Sequence, residues 1–296
     1  MYTIANAHYT AKIAAKGAEL KSLVSLSDGK EHIFQGDVRF WEDSAPLLFP
    51  ICGKLNDNRY AYGDKEYEMF IHGFLMSLVP TDVVAEGDLA VFHFADTEET
   101  YKQYPFHFAL TVTFTLTENG VNCAIVVENR DEKKMYYSIG AHPGFSTPLR
   151  EGATLEDHYL RFPEATDDVH SIIIDNAGLF SGETPARTLE EGKIIRLSRS
   201  QFIIDGIFLN GVGDVIELHC DGAEKFVRVS CPGTEVVGVW RDYDEEANMM
   251  CLEPWRGYPS ISGQKDELEK KFGIHMLESK ENVTFAFDIE ILPEQA

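Results

Sequence analysis

The segment FALTVTFTLTENGVNCAIVVE, Phe108 to Glu128, decides the fold class. In its first half Phe108, Leu110, Val112, Phe114 and Leu116 fall on one side of an extended chain, and Thr111, Thr113 and Thr115 fall on the other. Period-two alternation with β-branched and aromatic side chains is the pattern of a half-buried strand. Val121 to Glu128 repeats the alternation, and Thr117-Glu118-Asn119-Gly120 supplies residues that tolerate a tight reversal. The segment predicts an antiparallel hairpin with one buried face.

The same rhythm recurs at Tyr9 to Ile13, Ala90 to Ala95, Val215 to His219, Phe226 to Ser230 and Thr284 to Ile291. Turn residues punctuate it at Ser27-Asp28-Gly29, Tyr62-Gly63-Asp64, Cys220-Asp221-Gly222 and Cys231-Pro232-Gly233. The fold class is mainly β, a large antiparallel β-sandwich with few short helices. One candidate helix is Gly263 to Phe272, rich in helix formers and followed by Gly273. The chain has 296 residues, 44% of them hydrophobic, enough for a sizeable core. No Pro/Ser/Gly-rich linker, fixed-period repeat or segregation of charge divides it, so 1–296 reads as a single domain.

Charge narrows the partners. Lys and Arg number 26 against 49 Asp and Glu, a net charge of -23. A field of that sign repels phosphate backbones and anionic headgroups, so the expectation is no nucleic acid and no membrane as partners. A small neutral ligand suits the field better than a phosphorylated one, which would require a local cluster of basic side chains. The five cysteines, Cys52, Cys123, Cys220, Cys231 and Cys251, include no C-x-x-C pair and suggest free core thiols. The N-terminal residues lack a signal-peptide apolar stretch, and no run of about 18 apolar residues occurs. A cytoplasmic location is expected.

Four segments break the strand rhythm and place polar side chains among Gly, Pro and aromatic residues, the kind of loop on which chemistry is carried by a rigid scaffold. In Phe49 to Arg59, Lys54 is either a ligand for sugar hydroxyls or a solvated surface lysine. In Phe70-Ile71-His72-Gly73-Phe74, His72 suits a pocket floor, or is a structurally satisfied histidine. In Ser138 to Ser146, small residues on both sides of His142 clear space around an imidazole able to exchange a proton near neutrality. In Met250 to Gly257, Glu253 lies in an apolar run before Pro254-Trp255. Desolvation there raises a carboxyl pKa and strengthens it as a base. Phe74, Phe145 and Trp255 offer aromatic faces on which a ligand could stack, with core packing as the competing role. No H-E-x-x-H, H-x-H with a downstream carboxylate, G-x-G-x-x-G or P-loop pattern occurs, so neither a metal nor a cofactor is expected.

In this order FPICGK, IHGF, GAHPGFS and CLEPWRG resemble the aldose 1-epimerase (galactose mutarotase) family, particularly its lactose-operon mutarotase-like branch, over nearly the whole chain. The resemblance implies a β-supersandwich with a sugar-binding cleft and no cofactor. It implies that Glu253 is the general base, His142 the general acid and His72 a substrate-binding, transition-state-stabilising residue. Lys54 falls where the broader family often has Arg, and Asp205 where it has a substrate-binding Asp. Two departures stand out: Leu75-Met76 replace a small residue and Arg after HGF, and Asp205-Gly206-Ile207 replaces Asp-Ala-Leu. The implied activity is interconversion of the α- and β-anomers of a free aldohexose. A glycoside hydrolase and a non-catalytic sugar-binding protein are the alternatives. Oligomeric state is not legible.

Overall fold

The structure is a computed structural model that describes residues 1–294. Phe108–Leu116 and Gly120–Asn129 form the expected hairpin, with Val121 opposite Leu116. They sit within a nine-stranded antiparallel sheet that runs, edge to edge, Ile194–Arg196, His158–Arg161, Val215–Cys220, Lys225–Ser230, Asn282–Pro293, Gly120–Asn129, Phe108–Leu116, Leu89–Ala95 and Asp82–Glu86. The last strand of the chain thus closes the middle of this sheet, joining two blocks that are far apart in sequence. Its partners on either side are Gly120–Asn129 and Lys225–Ser230.

A second sheet runs His170–Ser171, Ile207–Asn210, Val236–Trp240, Met249–Arg256, Ile139–Ala141 and Leu47–Leu48, and Gly144–Ser146 also pairs with Met249–Arg256. The apolar faces of the two sheets share one core. Leu110, Val112, Phe114 and Ile125 of the first meet Leu209, Val237, Val239, Met250 and Leu252 of the second in a single buried cluster. This is the mainly β, antiparallel sandwich that the alternation predicts.

Side chains on the second sheet alternate between this core and its outer face. Along Met249–Arg256, Met250 and Leu252 point into the core, while Cys251 and Trp255 join separate clusters on the other side and Glu253 lines a cleft there. Along Val236–Trp240 the same split sends Val237 and Val239 inward and Trp240 to the cleft. The outer face of the second sheet is therefore the floor of the site.

The candidate helix at Gly263 to Phe272 is corrected by the structure, which forms only a 3-10 turn, Leu268–Lys270. Asp266 and Lys271 tie the segment instead to Asn56, Ala61 and Tyr258. The Asp266 carboxylate accepts from the backbone N of Asn56 at 2.8 Å, its carbonyl accepts from Ala61 N at 2.7 Å, and Lys271 is buried with its ammonium on the Tyr258 carbonyl. Groups committed to such contacts are not free to build a helical ladder. Among the described residues the one α-helix is Glu98–Gln103, capped by Thr97 in a reciprocal capping box with Thr100. Among the described residues no helix is long and apolar enough to cross a membrane. All five cysteines are free and buried.

Candidate active site

A cleft of about 330 Å³ opens on the outer face of the second sheet. Glu253 rises from its floor, where the strand alternation turns it away from the main core, and Gly238 lies opposite it in the neighbouring strand. His142 follows directly on Ile139–Ala141. Its backbone N donates to the Pro46 carbonyl at 3.0 Å, and the Pro143 carbonyl accepts from Leu252 N at 3.1 Å, so the turn is locked onto the strand that carries Glu253. His142 Nε2 lies 3.2 Å from Glu253 Oε2. Two residues 111 positions apart in sequence thus meet as a pair.

Two glycines make this approach possible. A Cβ on Gly140 would lie 2.8 Å from the Trp255 ring, and one on Gly144 would lie 2.6 Å from the Trp41 ring. The small residues expected to clear space around His142 do so, and tryptophans occupy that space. Trp41 packs on the His142 ring with centroids 5.0 Å apart and Trp240 approaches it at 6.0 Å. All three tryptophans of the chain line the cleft.

His72 reaches the same cleft from a turn in which both it and Gly73 have positive φ, 64° and 76°. Gly73 is required there, because a Cβ would lie 2.3 Å from the Phe49 carbonyl oxygen. His72 Nδ1 accepts from Gly53 N at 3.2 Å, which leaves Nε2 to carry the proton of the neutral ring. Burial holds its pKa down, to about 4. At neutral pH His72 is a hydrogen-bond donor rather than an acid.

Electrostatics follow from burial. Glu253 is 1% exposed, and desolvation, then the Asp205 carboxylate, pushes its pKa well above the ordinary range. Burial, then the neighbouring His72, pushes His142 well below its ordinary value. Both Glu253 oxygens, His142 Nδ1 and Trp255 Nε1 are buried without a well-aligned hydrogen-bond partner among the described residues; the His142–Glu253 contact is close but poorly directed. Orphaned polar atoms converging on one cavity are uncommon in a folded interior and mark a place where a polar ligand completes the bonding. Asp205 also lines the cleft, and burial raises its pKa to about 6.

Of the residues singled out from sequence, the cleft gathers Glu253, His142, His72, Asp205 and Trp255. It does not gather Lys54, whose ammonium donates to the Ala177 carbonyl at 2.8 Å and so tethers the loop that carries the cleft-lining Gly178. Nor does it gather Phe74, whose ring lies in the main core 6.2 Å from Phe49 and 5.9 Å from Phe108, or the fully buried Phe145. Sequence reading missed Trp41, Asp43, Phe208 and Trp240 as lining residues. The only available signal for two of these was that the chain has just three tryptophans, and it is weak. Met76, at the position of one departure noted above, lines the cleft and leaves its lining without a Lys or Arg.

One trio could present ligands to a metal: donor atoms of His142, Cys251 and Glu253 all lie within 4.8 Å of one another. Burial raises the Cys251 thiol and the Glu253 carboxyl well above their usual pKa.

A two-sheet antiparallel sandwich with an acid–imidazole pair on its outer face has the galactose mutarotase-like fold. The structure aligns with a galactose mutarotase-like protein from Lactobacillus casei at a TM-score of 0.93 and 28% identity, covering 98% of this chain and 99% of that one. It aligns with a galactose mutarotase related enzyme from Lactobacillus acidophilus at 0.91 and 29%, covering 98% and 96%. By sequence it is 29% identical to the plasmid-borne protein LacX of Lactococcus lactis subsp. lactis, across 97% of this chain and 98% of that protein. The chain belongs to the aldose 1-epimerase family, whose pattern it matches over residues 1–272. Family and fold together support a mutarotase-type function.

Proposed function

We propose that the protein interconverts the α- and β-anomers of a free aldohexose by general acid–base ring opening and re-closure. The observation that carries this reading is the buried Glu253–His142 contact of 3.2 Å inside an aromatic-walled cleft of sugar size. Glu253 takes the proton of the anomeric hydroxyl while His142 protonates the ring oxygen, and the C1–O5 bond breaks to give the aldehyde. The pair then stands as a neutral carboxylic acid and a neutral imidazole. After rotation about C1–C2, Glu253 returns its proton to the carbonyl oxygen, His142 recovers its own from the C5 hydroxyl, and the other anomer closes.

The pair therefore holds one proton throughout and passes between two arrangements of it. Burial favours the uncharged arrangement, the one that accompanies the open-chain sugar, and hydroxyls entering the cleft solvate the charged one. His72 Nε2–H donates to the oxygen on which charge develops, Asp205 accepts from ring hydroxyls, and Trp255 offers its face to the C–H surface of the ring.

Polarimetry of freshly dissolved α-D-glucose and α-D-galactose tests the proposal. Wild-type protein is expected to speed the approach to equilibrium, and Glu253→Gln to lower kcat by roughly 10²–10⁴-fold. No acceleration on any aldose would overturn it. Because Asp205 and Glu253 share the cleft, a glycoside hydrolase is the second reading, since that chemistry uses two carboxylates. Release of reducing sugar from aryl glycosides distinguishes the two.

A further inference from the structure

Beside the cleft lies a second compartment of about 390 Å³. The two share Ile174, Asp205 and Phe208 as lining residues, so they adjoin at these three side chains. The walls of the second are largely apolar, with Ile173, Ile203 and Ile204 more than a third exposed. At this apolar surface stands one cation, Arg187.

Arg187 differs from every other arginine in the chain. The guanidinium groups of Arg39, Arg59, Arg130, Arg161, Arg196, Arg199 and Arg228 each pair with a carboxylate. Those of Arg150, Arg241 and Arg256 donate to backbone carbonyls. Among the described residues the Arg187 side chain has neither, although it is half-buried in a protein of net charge -23. Burial depresses its pKa with no nearby carboxylate to oppose the shift. A partly desolvated guanidinium without partners is costly, and its planar fork matches phosphate and carboxylate groups. The hydroxyl-bearing Ser171 and Ser200 line the same compartment.

From this juxtaposition we propose that the Arg187 compartment receives an anionic substituent, a phosphate ester or a carboxylate, of a sugar whose reducing end occupies the Glu253–His142 cleft. The proposal rests on the mutarotase reading of the Glu253–His142 pair and changes its preferred substrate from the neutral aldohexose to an anionic sugar. It also divides the labour in space. Among the described residues the acid–base cleft has no Lys or Arg in its lining, and the cation that would recognise charge stands in the adjoining compartment, whose lining Asp205 shares.

The experiment measures kcat and KM for anomer exchange by NMR. Substrates are D-glucose and D-galactose, their 6-phosphates, and the corresponding uronic acids, with wild type, Arg187→Ala and Arg187→Lys. The expected result is that one anionic series is turned over at least about tenfold more efficiently than its neutral parent. Arg187→Ala then loses about 10- to 100-fold on that series through KM, leaves the neutral sugars unchanged, and is partly rescued by Arg187→Lys. Which series responds identifies phosphate or carboxylate as the group. Equal or better turnover of the neutral parents, or an equal loss on all sugars in Arg187→Ala, overturns the proposal while leaving the mutarotase reading intact. If wild type turns over no sugar, the mutarotase reading fails by itself, and quenching of the cleft tryptophans by the same anionic sugars decides: binding lost in Arg187→Ala sustains the compartment, and binding unchanged rejects it.

Discussion

One proton on the Glu253–His142 pair sets how activity should respond to pH under the proposed chemistry. The pair fails when it gains a second proton, which His142 resists because burial holds its pKa low, and when it loses its only proton, which Glu253 resists because burial holds its pKa high. The acid limb is thereby displaced below the ordinary histidine value and the alkaline limb above the ordinary glutamate value. In a pH–rate series, His142→Asn is expected to abolish the acid limb and Glu253→Gln the alkaline one; limbs that survive both changes would rule out the pairing. Burial raises the Asp205 pKa to about 6, so in the proposed reaction it would accept sugar hydroxyls as a carboxylate above that pH and lose that capacity below it. Asp205→Asn should raise KM roughly tenfold, little affect kcat, and erase the rise in KM expected of wild type below that pH. Glu253 was legible in sequence because a carboxylate in an apolar run needs a reason. Lys54 was ambiguous in sequence, because a cation in a Gly-Pro loop looks the same whether it ends on a ligand or, as in this structure, on the Ala177 carbonyl.

Strands and turns deliver these residues. The His72-Gly73 turn is a position where geometry allows one residue type: Gly73→Ala would drive a methyl into the Phe49 carbonyl from a φ of 76°. The expected cost is about 1–3 kcal/mol of stability, read by chemical denaturation, together with loss of activity as His72 is displaced. On the nine-stranded sheet, cross-strand register builds a charge ladder. Glu217 lies opposite Arg161 in one neighbouring strand and Arg228 in the other, and its fully buried carboxylate contacts them at 3.1 and 2.6 Å. Burial alone would raise its pKa, but hydrogen bonds from His219 and Arg228 override it and hold the carboxyl at about 2. A folded-state pKa below the unfolded one adds stability that is full above the unfolded value, near 4.5, and is lost as pH falls towards 2. Glu217→Gln should therefore cost on the order of 3 kcal/mol at neutral pH and much less in acid, as urea midpoints at the two pH values would show. The ladder was invisible in sequence, since strand register is set by pairing partners that no local pattern names. The Gly263 to Phe272 segment illustrates the converse: good helix formers yielded to tertiary hydrogen bonds from Asn56 and Ala61.

For the molecule as a whole, a net charge of -23 sets a self-repulsion that opposes compactness. Added sodium chloride should screen it, and the Tm is expected to rise between low and physiological ionic strength; a Tm that falls would indicate that attractive pairs such as the Glu217 ladder dominate. Alternation of apolar and polar side chains was enough by itself to determine that this chain forms antiparallel sheets with one buried face, because extended backbone sends neighbouring residues to opposite sides whatever the strand pairs with. It also determined which short segments could not be scaffold. Only the tertiary structure decided which of those segments meet. The Glu253–His142 contact, the three tryptophans around it and the unpaired Arg187 depend on sheet order and on which face each strand turns outward. Those are properties of long-range pairing, in which residues more than a hundred positions apart become neighbours.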